Sequence, residues 1–327
     1  MMTFAHLTTM VDIGTDIKMA VSLLNDNELV GIPTETVYGL AGNALNEEAI
    51  LKIYETKKRP RFDPLIAHID GLDKLKGLVK EVPEKANQLI EKFWPGPLTL
   101  LLKKTDLVPD LLTSGLDRVA IRVPNHPLAL SLLRELSFPL AAPSANPFGY
   151  VSPTTALHVS DQLGVEIPYI LDGGTCEIGV ESTIIGFSEE GNPIVYRLGG
   201  TKVEDIEDAV GMVDFDLNVS SDPTAPGMLK SHYSPGKPLV VGDIKENLKR
   251  FKGKNLGVIS FDKQYDGVGR NIYVLSPKRS IEEAARNIFA ALRKMDNDEV
   301  EVVLAEYVPD EGLGKAINDR LRRAATT

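Results

Sequence analysis

The stretch from Gly31 to His68 (GIPTETVYGLAGNALNEEAILKIYETKKRPRFDPLIAH) leaves the chain few ways to fold, because proline and glycine punctuate it at short intervals. Glu28 to Ile32 has the short apolar run of a buried strand, and Pro33 ends it, since proline has no N–H to give to a sheet ladder. Thr34, Glu35, Thr36 and Tyr38 crowd polar side chains onto what reads as a turn, with Gly39 and Gly42 relaxing the backbone behind it. Asn46 is an N-cap, Glu47 and Glu48 suit the positive start of a helix, and Ile50, Leu51 and Ile53 form its apolar stripe. That helix delivers Lys57, Lys58, Arg59 and Arg61, interrupted by Pro60. A strand end, a hydroxyl-rich turn, a helix and a basic cluster packed this densely predict a ligand site.

Around this unit, 327 residues predict about two domains. The single cysteine, Cys176, excludes an internal disulfide and a cysteine-based zinc cage, and fits a reducing cytosol. The N-terminus has no basic residue ahead of an apolar core, and no run approaches the roughly 20 apolar residues of a membrane span. The expectation is a soluble cytoplasmic protein without membrane contact. Charge is uneven: residues 1–237 hold 20 Lys and Arg against 32 Asp and Glu, residues 238–327 hold 16 against 14. An acidic body is a poor match for a polyphosphate duplex, so tight binding of nucleic acid, tRNA or other, is not expected from charge alone to be this chain's task.

In chain order, Val11 to Asn27 reads as an amphipathic helix and Pro64 to Ile69 as a short strand containing His68. Pro83 to Phe93 is a helix stopped by Trp94-Pro95-Gly96-Pro97, and Leu98 to Leu102 and Val119 to Val123 are strands. A helix over 128–136 and a strand over 138–142 lead to Pro143-Ser144-Ala145-Asn146-Pro147, and Ser152-Pro153 opens a helix through Leu163. Strands follow at 169–171, from 179 to 185, and at 193–196, the last ending at Arg197. No Lys or Arg occurs between Glu135 and Arg197, which makes Arg197 an isolated cation at a strand end. Residues 207–237 read as a linker, and the remainder alternates strands at 239–241, 256–259, 272–275 and 300–304 with helices at 281–295 and 314–324, a small α/β layer domain.

No GxxxxGK[ST] phosphate loop, GxGxxG, HExxH or GxSxG is present. What remains is cations and short hydroxyls at element ends: Lys57, Arg59, Arg122 and Arg197 with Thr34, Thr36, Ser144, Asn146 and Ser182. Arginine offers a planar fork to carboxylate or phosphate and lysine a point charge, an inventory for holding a nucleoside triphosphate and a small carboxylate without a covalent intermediate.

PTETVYGL, Lys57-x-Arg59-Pro60, Ser144-x-Asn146, Ser152-Pro153-Thr154, Asp172-Gly173-Gly174, Glu181-Ser182-Thr183 and Arg197-x-Gly199 together resemble the YrdC-like threonylcarbamoyl-AMP synthases. Ala225-Pro226-Gly227-Met228, His232-Tyr233-Ser234-Pro235 and the α/β tail are similar to the long two-domain form. The resemblance implies a YrdC-like catalytic domain over 12–206 with a twisted mixed sheet around a large pocket, a linker over 207–237 crossing the active site, and a Rossmann-like α/β domain over 238–327. It implies capture of bicarbonate or CO2 on L-threonine, attack of the carbamate on the α-phosphate of ATP, and release of pyrophosphate. A separate transferase complex then passes the threonylcarbamoyl group to tRNA. By motif, Lys57, Arg59, Ser144 and Asn146 match the ATP and catalytic tetrad, and Ser152, Arg197 and Tyr233 further nucleotide contacts. Thr34 or Thr36, His68, Arg122 and Ser182 match the threonine side. Mg²⁺ is implied on the phosphates, with ligands that no motif names.

The sequence departs from the family pattern at Asp63, Phe148 and Leu198, and a carboxylate at Asp63 could repel phosphate or touch magnesium. Read without the resemblance, Lys57 to Arg61 is a solvated charge run, Ser152-Pro153 a helix cap and His68 a core histidine. Two other functions stay open at this point. One is a carbamoyl-adenylate-forming carbamoyltransferase, whose cysteine-rich zinc modules have no counterpart here; the other is a non-catalytic RNA-binding module.

Overall fold

A computed structural model describes residues 11–217, 225–226, 233–266 and 271–325. Gly227, Met228 and His232 of the motifs above lie outside the described residues, as do residues 1–10 of the N-terminal segment.

The chain first runs through β1 (Asp12–Gly14), α1 (Ile17–Asn25), β2 (Val30–Ile32), β3 (Gly39–Asn43), α2 (Glu47–Lys57), β4 (Ile66–His68), α3 (Leu72–Leu78), α4 (Glu84–Phe93), β5 (Leu98–Lys103) and α5 (Asp110–Thr113). It continues through β6 (Arg118–Arg122), α6 (Pro127–Glu135), β7 (Leu140–Ala141), α7 (Ala156–Leu163), β8 (Tyr169–Leu171), β9 (Thr183–Phe187), β10 (Pro193–Arg197), α8 (Val203–Val210) and β11 (Asp214–Phe215). These strands form one mixed sheet in the order β1-β8-β2-β3-β7-β4-β6-β5-β9-β10-β11. A second sheet, wholly parallel, is built by β12 (Leu239–Val241), α9 (Ile244–Arg250), β13 (Leu256–Ser260), β14 (Ile272–Val274), α10 (Ile281–Asn297), β15 (Val302–Ala305) and α11 (Leu313–Ala324), in the order β12-β15-β13-β14. This is the expected α/β architecture of a large mixed sheet beside a smaller parallel one.

Local chemistry explains the elements. Asn46 caps α2, its side-chain oxygen accepting from the Ala49 amide at 2.9 Å, and Lys58 closes the helix in the left-handed region. Pairing β4 with β6 in parallel sets His68 opposite Arg122, so two predicted site residues emerge side by side at strand ends.

Four expectations need correction. Val11 to Asn27 is not one helix: Asp12–Gly14 pairs in parallel with β8, and the helix begins only after Asp16, whose carboxylate accepts from the Lys18 and Met19 amides. Gly39 and Gly42 do not relax a turn but belong to β3, where a side chain at 42 would lie 2.9 Å from Leu29 and 3.2 Å from Ile53. They are glycines because helix and strand close directly over them. Ser152 does not cap a helix; Thr155 caps α7, its hydroxyl accepting from the His158 amide at 3.2 Å. Residues 207–217 are not a bare linker, since they hold the end of α8 and strand β11. The short helices α3, α5, α8 and α9 have no counterpart in the sequence reading; helices of eight residues or fewer carry little periodicity.

The two sheets are not separate bodies. One apolar core runs continuously from Leu29 and Val180 to Phe289 and Ala324. Across that junction Arg293 of α10 donates to the Val151 carbonyl at 2.5 Å and to Gln162 Oε1 at 2.9 Å, and Tyr150 donates to Asp296.

Candidate active site

The ends of β4, β6, β9 and β10 open onto a cleft of about 580 Å³ that is continuous with solvent. Nine of the twelve predicted site residues line it: Thr34, Thr36, Arg59, His68, Arg122, Ser144, Ser182, Arg197 and Tyr233. Three do not, namely Lys57, Asn146 and Ser152, and each supports the wall from behind.

Lys57 is buried, and its ammonium group donates to the Ser144 carbonyl at 2.6 Å and the Asn146 carbonyl at 2.5 Å. Burial, and then the neighbouring Arg59 charge, pull its pKa well below the ordinary lysine value. Lys57 thus straps the Pro143–Pro147 loop to the end of α2, rather than forming a solvated charge run. The Phe148 amide donating to the Lys57 carbonyl at 2.8 Å closes the same strap. On the other side the loop is tied to β3 by Leu40 and Ala145, through bonds to the Pro143 and Tyr38 carbonyls. Asn146 donates to the Pro147 and Tyr150 carbonyls, and its buried Oδ1 has no hydrogen-bond partner among the described residues.

Each cleft arginine is oriented by buried groups on its far side. Arg59 forms an ion pair with Asp63 at 2.9 Å and donates to the Asp63 and Pro64 carbonyls, with the Phe148 ring 5.9 Å away. Asp63, with no exposed surface, is therefore the carboxylate that aims Arg59 and does not face a phosphate. Arg122 pairs with Glu35 at 2.6 Å, donates to Thr36 Oγ1 at 2.9 Å and reaches the Gly96 carbonyl at 3.2 Å. Thr34 shapes the turn beneath, its hydroxyl donating to the Val37 carbonyl at 2.7 Å and lying 2.8 Å from Thr36 Oγ1.

Arg197 follows a register shift between Val195 and Arg197 that turns it inward. It is buried, donating to the Ser182 carbonyl and hydroxyl at 3.0 Å each, and burial pushes its pKa down to about 10, so it stays charged near neutrality. Ser182 Oγ also lies 2.7 Å from Thr99 Oγ1. Burial, and then the Arg122 charge, push His68 down to about 3, so its imidazole is neutral at ordinary pH. His68 Nδ1 is buried without a hydrogen-bond partner among the described residues, which a satisfied core histidine would not leave.

Tyr233 lines the cleft from the segment that joins the two sheets, stacked on Phe289 at 5.6 Å and flanked by Arg320 and Arg323 at 4.9 and 5.0 Å. Glu181, the one carboxylate in the lining among the described residues, accepts from Ser152 Oγ at 2.6 Å and pairs with Arg320 at 2.9 Å. Burial raises its pKa, but Arg320, Arg197 and Ser152 together hold it below the usual glutamate value. Sequence reasoning missed Glu35, Asp63 and Glu181 as orienting groups, and Arg320 altogether. The available signal for Arg320 was a charge on the apolar stripe of its helix, beside Ile317, Leu321 and Ala324.

Three buried arginines, two of them backed by paired carboxylates, and a neutral histidine present forked N–H donors to one cleft, an arrangement that suits a ligand with carboxylate or phosphate oxygens. Comparison with known proteins agrees. The family model described as "Telomere recombination", of Sua5, YciO and YrdC proteins, matches residues 22–199, and the model described as "Threonylcarbamoyl-AMP synthase, C-terminal domain" matches residues 201–326. The chain is 44% identical to the threonylcarbamoyl-AMP synthase of Pyrococcus abyssi over 94% of each chain. It is 43% identical to that of Bacillus subtilis, over 94% of this chain and 92% of the relative. The crystal structure of P. abyssi Sua5 complexed with L-threonine superimposes with a TM-score of 0.91 at 42% identity, covering 96% of this chain and 97% of that one.

Proposed function

Because the chain belongs to the family of Sua5, YciO and YrdC proteins and carries the threonylcarbamoyl-AMP synthase C-terminal domain, we infer that its cleft joins L-threonine, bicarbonate or CO2, and ATP into threonylcarbamoyl-AMP and pyrophosphate. It is a nucleotidyltransferase. The observation that carries this reading is the set of three arginines, each oriented by groups behind it, facing one cleft in a chain of net charge −10.

The neutral amine of threonine adds to CO2 and loses a proton, giving a carbamate. A carbamate oxygen attacks the α-phosphorus, the bond from that phosphorus to the bridging oxygen breaks, and pyrophosphate leaves with the electron pair. Arg122 gives two of its five N–H groups to Thr36 and Gly96 and sets Nη2 beside Glu35 as an ion pair, which leaves N–H groups on both terminal nitrogens for the threonine carboxylate. Neutral His68 and the hydroxyls of Thr36 and Ser182 border that end without adding charge. Arg59 and Arg197 face the triphosphate, and Ser144 reaches it from the loop that Lys57 holds. Since no covalent intermediate is needed, rate comes from positioning and from charge fixed before the reaction.

The described residues contain no group of three or more His, Cys, Asp or Glu side chains suited to a metal. Mg²⁺ would enter on the phosphates of ATP and keep most of its water, as that ion does on nucleotides. A separate transferase complex would take the adenylate to tRNA, a division of labour that the chain's negative charge favours. A cytoplasmic location is supported by the single, free and buried Cys176 and by the lack, among the described residues, of a helix long and apolar enough to cross a membrane.

The test is pyrophosphate release from ATP by the purified protein. Release that needs both L-threonine and bicarbonate supports the reading. Release driven instead by carbamoyl phosphate, or none from a folded protein that binds ATP, contradicts it.

A further inference from the structure

The smaller parallel sheet and its helices have no role in the chemistry so far, yet Phe289, Arg320 and Arg323 all lie against the cleft-lining Tyr233, and Arg320 reaches further into the wall. Arg320 of α11 has no exposed surface. Its Nε donates to Glu181 Oε2 at 2.9 Å, its Nη2 to the Leu198 carbonyl at 2.9 Å and its Nη1 to Asp319 at 2.6 Å, while its guanidinium lies 4.9 Å from the centre of the Tyr233 ring. One planar group therefore fixes the segment before β9, the end of β10 next to Arg197, and the segment that carries Tyr233. Two of these partners, Glu181 and Tyr233, line the cleft.

Burying a guanidinium against a carboxylate is a poor way to gain stability, since apolar residues of similar volume often do as well or better. What the arrangement does supply is geometry. Glu181 is held from two sides, by Arg320 on one oxygen and Ser152 on the other. Ser182, the next residue, receives two donations from Arg197, whose Nη1 also reaches the Pro226 carbonyl at 3.4 Å. We propose that Arg320 is a positioning residue for the adenylation reaction, setting Glu181 and the Tyr233 ring so that Arg197 meets the nucleotide, and that the C-terminal domain is thereby part of the active site. The proposal rests on the reading of the Arg197 end of the cleft as the nucleotide end. Arg122 and its partners Glu35, Thr36 and Gly96 make no bond to Arg320 among the described residues, and Ser182, which borders both ends, is also held by Thr99, so the Arg122 grip on threonine is predicted to be insulated from it.

The experiment measures ATP and L-threonine binding separately by titration calorimetry, and KM and kcat by pyrophosphate release, on full-length parent, Arg320→Lys and Arg286→Ala. Arg320→Lys keeps the charge and loses the fork. Arg286 also crosses the junction, donating to the Glu177 carbonyl at 2.9 Å, but touches no cleft residue, so Arg286→Ala controls for docking alone. The expected result for Arg320→Lys is a tenfold or greater weakening of ATP binding and rise in its KM, with threonine affinity changed less than threefold and Arg286→Ala like the parent. Loss of both affinities together, or unchanged affinities with only a lowered Tm, overturns the proposal. Should Arg320→Lys not fold, the double variant Arg320→Met with Glu181→Gln removes both buried charges at nearly constant volume, and the same split is expected of it. Binding is read without turnover, so the proposal stands or falls even if the parent releases no pyrophosphate, which would instead contradict the assigned reaction.

Discussion

Arg122 is buried beside an equally buried Glu35, and that pairing decides how it can work. An unpaired guanidinium there would be costly, whereas a paired one keeps its charge and presents its remaining N–H groups in a fixed plane. Arg122→Lys is therefore expected to raise the KM for threonine about tenfold or more, the ~1.4 kcal/mol or more of a lost charge-assisted bond, while the KM for ATP stays nearly constant. Steady-state kinetics in each substrate checks this, and equal rises would remove Arg122 from the threonine end. His68 gives a pH prediction. Its folded pKa of about 3 lies below the ordinary 6.5, so between those values the unfolded chain holds a proton that the folded one refuses. Stability contributed by neutral His68 is thus complete above pH 6.5 and declines as pH falls toward 3, by ~2 kcal/mol already at pH 5. Urea unfolding at pH 7 and pH 5 is expected to show a smaller acid loss in His68→Gln by about that amount. His158, pushed down to about 4 mainly by burial, gives both proteins the same background. At this scale the sequence disclosed which residue types gather, because arginines and threonines at element ends stand out in an acidic chain. It did not disclose which of them touch the cleft: Lys57, Asn146 and Ser152 act through backbone carbonyls and Glu181, and such partners leave no spacing to read.

Elements were legible where periodicity was long, as in α2, α4 and α10, and illegible where packing overrode local cues. β3 is the clearest case: Gly39 and Gly42 look like turn residues, but a side chain at Gly39 would sit 3.1 Å from the Ala142 Cβ. Close approach of neighbours, not backbone freedom, selects glycine there. Gly179 combines both reasons. Its φ is +82°, and a Cβ on it would lie 2.4 Å from the Arg286 Cα and 2.5 Å from the Ala285 carbonyl, both on α10. Gly174 has a similar φ of +80° with open space around it. Gly174→Ala is thus expected to cost only the backbone term, about 1 kcal/mol, and Gly179→Ala about 1–3 kcal/mol more, because α10 must move. Thermal unfolding of the two variants measures the difference. Faster amide exchange in α10 of Gly179→Ala alone would locate it at the junction, and equal losses would mean that the contact is not strained.

On the scale of the whole molecule, two sheets share one core, and buried arginines of the smaller one, Arg293 and Arg320, hold the wall of the larger one's cleft. Composition disclosed the two parts and their unequal charge, but not this docking, because a cation on an apolar stripe, as Arg320 is, does not say which partner in the other part it meets. The account's central claim is that this cleft builds a carbamate on threonine and adenylates it. The measurement that tests it most directly is mass spectrometry of the nucleotide formed from ATP, L-threonine and ¹³C-bicarbonate. The account predicts a threonylcarbamoyl adenylate that carries the labelled carbon and disappears when threonine is omitted. An adenylate without the label, or one formed equally well without threonine, would contradict it.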